Sequence, residues 1–306
     1  MRKVLAIMPI SIGGRLTTSS IIDGFKFNGF EVDIFDELVQ EKFVIDEDYQ
    51  YIIGYDFSPV KFKIDNKLNF PCVAYFSDVI QKETSGIGYK EYYKYLENKD
   101  IFVFYWDREL SKKEGWNYLP HFVNCEIYND FDKPIYDVLF CGRFDTDLRL
   151  QTFIELNKRL PKASFCWHAI EKHYLSALDR LSNEEDKDII KKTYKGFIDN
   201  EKDMASAINN TKIVYNINSQ GISSLNYRTI QTMACKRLLI SDKREELDLF
   251  DNILPVWENI DDLVVKIDYY LKNQEEYNSI VKKSREFIEL NHDSKICVKK
   301  ILDSIN

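Results

Sequence analysis

This sequence has no long apolar runs, no closely paired cysteines and few histidines. No stretch of the 306 residues approaches the roughly 20 apolar side chains of a membrane-spanning helix. The apolar run at the amino terminus is cut short by Pro9, which favours a first strand over a secretion signal. The six cysteines form no CxxC pair, which favours reduced thiols in a cytoplasmic protein over a disulfide frame or zinc site. With four histidines, a histidine-rich metal centre is not expected.

The charge balance argues against a nucleic-acid partner. The formal net charge is -8, whereas nucleic-acid binders carry a basic surface. Residues 1–133 hold 16 basic and 22 acidic side chains, and the remainder holds 26 and 28. The nearly neutral second half is therefore the better host for an anionic ligand. A composition of 44% hydrophobic and 30% charged residues is typical of soluble folded domains.

Buried strand patterns alternate with helical patterns along the whole chain, which predicts doubly wound α/β sheets. The predicted strands are Lys3–Met8, Glu31–Phe35, Tyr51–Gly54, Cys72–Phe76, Ile101–Tyr105, Asp137–Cys141, Ser164–Trp167, Lys212–Ile217, Arg237–Ile240 and Ile253–Val256. The predicted helices are Thr18–Asn28, Tyr89–Glu97, Leu148–Arg159, Lys172–Thr193, Glu201–Asn209, Leu225–Ala234, Asp261–Lys272, Glu275–Leu290 and Ser294–Ser304. Loop residues between 120 and 136 separate two halves, so we expect one domain over 1–130 and a second over 131–306.

Two patterns are too incomplete to indicate other enzyme classes. The loop after the first strand, Ser11–Thr18, lacks the GxGxxG spacing of a nicotinamide site, although Asp36 stands where such an enzyme would hold ribose. His168, Glu171 and His173 follow the order HxxExH, which does not match the HExxH zinc motif. We interpret both as ordinary loop and helix starts, with an anion-binding role for the first loop left open.

Two segments of the second half carry the candidate site. Gly142 and Arg143 follow a strand, at the edge where open α/β sheets bind ligands, and an arginine there can pair with phosphate. The stretch 213–240 predicts a strand, a polar loop, a helix and a strand. Ser223 or Ser224 is a favourable N-cap for that helix, whose free N–H groups suit a diphosphate. Arg228 and Gln231 are one turn apart and share a face.

This second segment resembles a known family. Asn226-Tyr227-Arg228-Thr229-Ile230-Gln231-Thr232-Met233-Ala234-Cys235 is similar to the N-x-R-x-F-E-x-M-A-C-G segment of GT-B glycosyltransferases, in the branch of the CgeB-like proteins. Lys236 stands at the position of the final glycine of that segment. Weaker similarities keep the family order through most of the chain: Cys72–Asp78, Trp116–Pro120, Tyr136–Arg143, Tyr194–Phe197 and Tyr269–His292.

The resemblance implies two Rossmann-like domains facing a cleft, with C-terminal helices, the last of which packs back on the first domain. It implies metal-independent transfer of a sugar from a UDP-, GDP- or ADP-sugar, held mainly by the second domain, to a hydroxyl acceptor such as a cell-surface glycan precursor. It assigns the phosphates to Gly142 and Arg143. By the same resemblance, the diphosphate and the sugar would be bound by Asn218, Ser223, Ser224, Asn226 and Arg228. The ribose would be bound by Gln231.

Two departures leave alternatives open. Gln231 and Ser223 stand where the family has carboxylates, so a non-catalytic nucleotide- or glycan-binding homologue is a second reading. A GT-B-shaped nucleotide-sugar epimerase is a third. For transfer, Arg143 and Arg228 would balance the charge of the leaving diphosphate, and Asp78 is the candidate base for the acceptor, with a helix N-cap as its alternative role. We expect a cytoplasmic protein with at most peripheral membrane contact; the oligomeric state stays open.

Overall fold

The computed structural model describes residues 2–40, 45, 48–77, 90–218 and 223–305. The chain divides into two compact units. The first comprises Met1–Cys125, Gln220–Ser224 and Leu290–Asn306, and the second comprises Glu126–Ser219 and Leu225–Glu289. Within the described ranges, no helix combines the length and the apolar character that crossing a bilayer requires.

Both units are built from strands and helices. The strands are β1 (Arg2–Met8), β2 (Phe30–Asp36), β3 (Tyr51–Tyr55), β4 (Cys72–Phe76), β5 (Ile101–Tyr105), β6 (Asn117–Tyr118), β7 (Tyr136–Cys141), β8 (Phe165–His168), β9 (Thr211–Asn216), β10 (Leu238–Asp242) and β11 (Val256–Trp257). The helices are α1 (Ile12–Phe27), α2 (Ser58–Asp65), α3 (Lys90–Tyr93), α4 (Arg108–Glu114), α5 (Asp147–Arg159), α6 (Glu171–Asp179), α7 (Glu184–Thr193), α8 (Glu201–Asn209), α9 (Tyr227–Ala234), α10 (Ile260–Lys272), α11 (Gln274–Asn291) and α12 (Ser294–Ile305). A short 3-10 helix covers Glu245–Phe250.

The first unit is built on a six-stranded parallel sheet in the order β2-β1-β3-β4-β5-β6. Four consecutive residues of β1, Val4 to Ile7, are fully buried. Continuous apolar strands of this kind are expected where helices cover both faces of a parallel sheet. The predicted α/β class is thereby confirmed for this unit.

The second unit holds a five-stranded parallel sheet in the order β11-β10-β9-β7-β8. The chain runs from β7 outward to β8, then returns to the other side of β7 to form β9. The strand order therefore reverses between β7 and β9. In open α/β sheets, the carboxyl ends of the strands at such a reversal are the usual ligand site.

The last helix packs within the first unit, against α1. Val298 and Ile301 of α12 belong to the same buried cluster as Ile21 and Phe25 of α1. The two helices approach closely at Gly24, where an added Cβ would lie 2.3 Å from Cγ2 of Val298. A larger residue at Gly24 would force the helices apart.

Three predicted helices differ from the structure. The first begins at Ile12, not Thr18, because Ser11 is an extended N-cap that accepts a hydrogen bond from the Gly14 N–H. The predicted helix Lys172–Thr193 is two helices, since the chain leaves α6 at Arg180 and a new N-cap, Asn183, begins α7. The predicted helix over 89–97 is reduced to the single turn of α3, as far as the described residues show.

Candidate functional site

Gly142 and Arg143 lie at the end of β7, beside the reversal of the second sheet. Gly142 has φ +143°, a region that L side chains rarely adopt. Its N–H donates to the carbonyl of His168 at 3.0 Å, and its carbonyl accepts from the indole of Trp167 at 2.8 Å. The fixed turn exposes the side chain of Arg143, whose Nε lies 3.6 Å from the Asp145 carboxylate.

Arg149 of α5 links the segment that follows β7 to the segment that follows β9. Its Nε donates to the carbonyl of Ile217 at 3.1 Å, and its Nη1 donates to the carbonyl of Arg143 at 3.3 Å and to Asp145 at 3.0 Å. The side chain is largely buried, and that burial lowers the pKa of Arg149. Arg149 therefore shapes the site instead of offering its charge to a ligand.

Asn218 and Asn226, both assigned to the site from the sequence, are in direct contact. The side-chain oxygen of Asn218 accepts the backbone N–H of Asn226 at 2.8 Å. The Asp242 carboxylate accepts the backbone N–H of Asn218, with both oxygens at 3.1 Å. Asn216 donates to the side-chain oxygen of Asn226 at 3.0 Å and to Thr229 at 3.1 Å. These bonds fix the chain on both sides of residues 219–222.

Asp242 and Asn216 belong to the site, although the sequence did not indicate either of them. Asp242 is at the end of β10, and burial raises the pKa of its carboxyl group. The only signal in the sequence was its place at the carboxyl end of a predicted strand, which many surface residues share. Nothing in the sequence indicated that its partner would be Asn218.

Arg228 and Gln231 contact each other on α9, as their spacing predicts. Nη1 of Arg228 donates to Oε1 of Gln231 at 2.9 Å and lies 2.7 Å from the Sδ atom of Met204. Gln231 is fully buried, and its Nε2 donates to the hydroxyl of Tyr128 at 2.7 Å. Nε of Arg228 is buried and has no partner in the described part of the chain.

Ser223 and Ser224 do not cap α9; the expected N-cap there was wrong. Asn226 is the N-cap, and the two serines belong to the first unit. The fully buried Asp107 accepts the N–H of Ser223 at 3.0 Å and the hydroxyls of Ser223 and Ser224 at 3.2 and 3.1 Å. Asp107 also caps α4 by accepting the N–H of Leu110. The polar groups that were expected to face a diphosphate are thus bonded to a carboxylate.

The described residues give Asp36 and His168 no role in binding a ligand at this site. Asp78 lies outside the described residues. Asp36 forms a bidentate pair with Arg15, at 2.8 and 2.7 Å, so its carboxylate is not available to a ribose. Among the described residues, no group of three or more histidine, cysteine or acidic side chains could hold a metal. Burial lowers the pKa of His168 to about 4, so its imidazole is neutral near pH 7.

Solved structures share this two-unit fold at low sequence identity. Sucrose-phosphate synthase from Thermosynechococcus elongatus superposes with a TM-score of 0.71 at 12% identity, covering 99% of this chain and 98% of its own. A glycosyltransferase from Rickettsia africae ESF-5 gives 0.69 at 13% identity, covering 99% and 97%. HepE of Anabaena in complex with UDP-glucose gives 0.70 at 10% identity, covering 100% and 99%. The GT-B fold implied by the sequence resemblance is confirmed.

Sequence comparison assigns the family. No curated protein matches the chain at a significant level. A family model described as glycosyl transferase-like matches residues 151–303, which is half of the 306 residues. This chain belongs to the glycosyl transferase-like family.

Proposed function

We propose that this protein transfers a sugar from a nucleotide-diphosphate donor to a hydroxyl acceptor, without a catalytic metal. The proposal rests on the position of Arg228, whose guanidinium lies beside the reversal of strand order in the second sheet. Its contacts among the described residues, Gln231 and Met204, are neutral. Because Arg228 forms no ion pair with any described residue, its positive charge at the ligand edge of an open sheet favours an anionic ligand.

The chemistry of transfer needs positive charge at this position. As the glycosidic bond breaks, negative charge develops on the leaving diphosphate, and preorganised donors that meet this charge lower the barrier. Arg228 would supply one cation and Arg143, exposed at the end of β7, a second. The N–H groups of the first turn of α9 would add to both. Gly142, Asn218 and Asn226 would shape the surrounding backbone.

The finer assignments are also proposals. We place the protein in the CgeB-like branch, in bacterial glycan biosynthesis and in the cytoplasm, with Asp78 of the first unit as the base that deprotonates the acceptor. HepE has been solved with UDP-glucose, and a uridine donor is therefore the first candidate. The acceptor would be a glycan or another cell-surface precursor.

A donor screen tests the proposal. The melting temperature would be measured with UDP-, GDP-, ADP- and CMP-sugars, in the presence and absence of EDTA. A ligand at one hundred times its Kd stabilises the folded state by about 2.7 kcal/mol, which is a measurable shift. One nucleotide should stabilise the protein, with EDTA making no difference, and Arg228→Ala should abolish the shift. If no nucleotide shifts the wild-type protein, the proposal is wrong.

A second candidate is a nucleotide-binding protein without turnover. It is supported by Ser223 and Gln231, which replace family carboxylates and whose polar groups are bonded inside the protein. Incubation of the protein with the stabilising nucleotide sugar, with and without a panel of hydroxyl acceptors, separates the two. Release of nucleoside diphosphate supports the transferase, and binding without release under every condition supports the binder.

A further inference from the structure

We infer that Gln231 is a positioning residue that holds Arg228 in place without neutralising its charge. The inference deepens the proposed function and rests on it. A glutamine and a glutamate have nearly the same shape, but only glutamate would cancel the charge of the guanidinium. The neutral amide is thus the feature that keeps Arg228 attractive to a diphosphate.

The contacts fix the orientation of the Gln231 amide. A guanidinium has only donors, so the group facing Nη1 of Arg228 at 2.9 Å has to be the amide oxygen. The NH2 group then faces the hydroxyl of Tyr128 at 2.7 Å, and that oxygen accepts. Since Gln231 is fully buried, both halves of the amide are committed to the protein. Its side chain orients Arg228 and is not free to bind a ribose.

Arg228 differs from the other arginines of the second unit. Each of the other seven lies 2.5 to 3.7 Å from a carboxylate: Arg143, Arg149, Arg159, Arg180, Arg237, Arg244 and Arg285. Arg228 has no such partner among the described residues, and its Nε is buried without a hydrogen bond. A buried donor without an acceptor is costly. The absence of an ion pair at Arg228, among the described residues, is what fits a site for an anion.

The site can accept a carboxylate at position 231 without losing its hydrogen bonds. In Gln231→Glu, one oxygen would take the place of the amide oxygen beside Arg228. The other would face Tyr128, whose hydroxyl can rotate from accepting to donating. Burial raises the pKa of Tyr128 well above its ordinary value, so the hydroxyl keeps its proton and can donate. The substitution therefore changes charge while preserving shape.

Binding of inorganic pyrophosphate and of UDP, measured by calorimetry over a series of salt concentrations, tests the inference. Gln231→Glu should weaken both by about tenfold to a hundredfold and should flatten the salt dependence, because one cation is cancelled. Gln231→Leu should also weaken binding, but its salt dependence should equal that of the wild type, since the charge of Arg228 remains.

The matched control is Gln274→Glu. Gln274 is exposed and begins α11. The preceding helix α10 starts beyond the carboxyl end of β11 and runs back, so Gln274 lies toward the opposite edge of the sheet. This variant changes the net charge of the protein equally and should bind within about twofold of the wild type. Thermal melting would verify that each variant is folded.

If Gln231→Glu does not fold, a second pair of variants replaces it. Met204→Glu brings a carboxylate to the same guanidinium, and Met204→Gln is its neutral counterpart. Only the glutamate should flatten the salt dependence. The inference is overturned if Gln231→Glu keeps the affinity and the salt dependence of the wild type. It is also overturned if Gln231→Glu and Gln231→Leu lose the same affinity and both keep the wild-type salt dependence. Neither result contradicts the proposed function. A wild-type protein that binds neither probe would overturn both.

Discussion

Asn226 donates its backbone N–H to the side-chain oxygen of Asn218, 2.8 Å away, across the chain segment that separates β9 from α9. Asn218 is held in turn by the carboxylate of Asp242. The start of α9, and therefore Arg228 in its first turn, takes its position from this pair of asparagines.

Asn218→Ala should weaken donor binding and lower stability. The substitution removes the acceptor for the N–H of Asn226, which is partly buried, and leaving a fully buried donor unpaired would cost about 1–3 kcal/mol. Urea unfolding gives the stability, and a titration with the stabilising nucleotide gives the affinity. Asn157→Ala on α5 is the control, because among the described residues its amide contacts only the carbonyl of Phe153, within the same helix. An unchanged affinity in Asn218→Ala would show that the contact between Asn218 and Asn226 does not contribute to donor binding.

Gly142→Ala should lower stability by about 1–3 kcal/mol, whereas Gly13→Ala should raise it by about 0.5–1 kcal/mol. An added Cβ meets nothing within 4 Å at either glycine. The two differ in backbone, because Gly142 has φ +143° and Gly13 lies in α1 with helical geometry. Chemical denaturation measures both. Equal effects in the two variants would mean that the turn after β7 does not depend on glycine.

Asp107→Ala should be one of the most destabilising single substitutions in the first unit. It removes the N-cap of α4, worth about 1 kcal/mol, and leaves buried donors of Ser223 and Ser224 without an acceptor. We expect a loss of about 3 kcal/mol or more in urea unfolding. Asp261→Ala is the control, since that carboxylate is exposed and its one ion pair in the described part of the chain is with Arg159 at the surface; it should cost less than about 1 kcal/mol.

Stability should fall as the pH is lowered from about 6.5 to about 4. Burial lowers the pKa of His121 to about 3 and that of His292 to about 4. The unfolded chain binds protons near pH 6.5 while the folded protein does not, so the stability contributed by the neutral rings is complete above 6.5 and is lost below it. Each ring contributes on the order of 3 kcal/mol to this difference.

His292→Asn isolates one of these rings. The asparagine amide can replace the ring nitrogen that lies 2.7 Å from the carbonyl of His121, but it does not titrate. The variant should therefore show a shallower dependence of the melting temperature on pH. If the melting temperature of the variant falls as steeply as that of the wild type between about pH 6.5 and about pH 4, His292 does not contribute to the loss of stability in acid.

Much of the fold could be predicted from the sequence because buried parallel strands leave continuous apolar runs. The break between α6 and α7 was missed, although Asn183 followed by three acidic residues is a typical helix start. Local spacing also sufficed for Arg228 and Gln231, which are one helical turn apart. It could not reveal that Ser223 bonds to Asp107, since 116 positions separate them. Contacts of that kind depend on which distant segments the tertiary fold brings together, and local sequence patterns do not contain this information.

The rate at which nucleoside diphosphate is released from a panel of nucleotide sugars tests the central claim most directly. The wild-type protein should release it from at least one donor in the presence of an acceptor. Arg228→Ala should lower that rate by about a hundredfold or more, because one charge that stabilises the leaving group is lost. A wild-type protein that neither binds nor turns over any nucleotide sugar, or equal rates in the wild type and Arg228→Ala, would contradict this account.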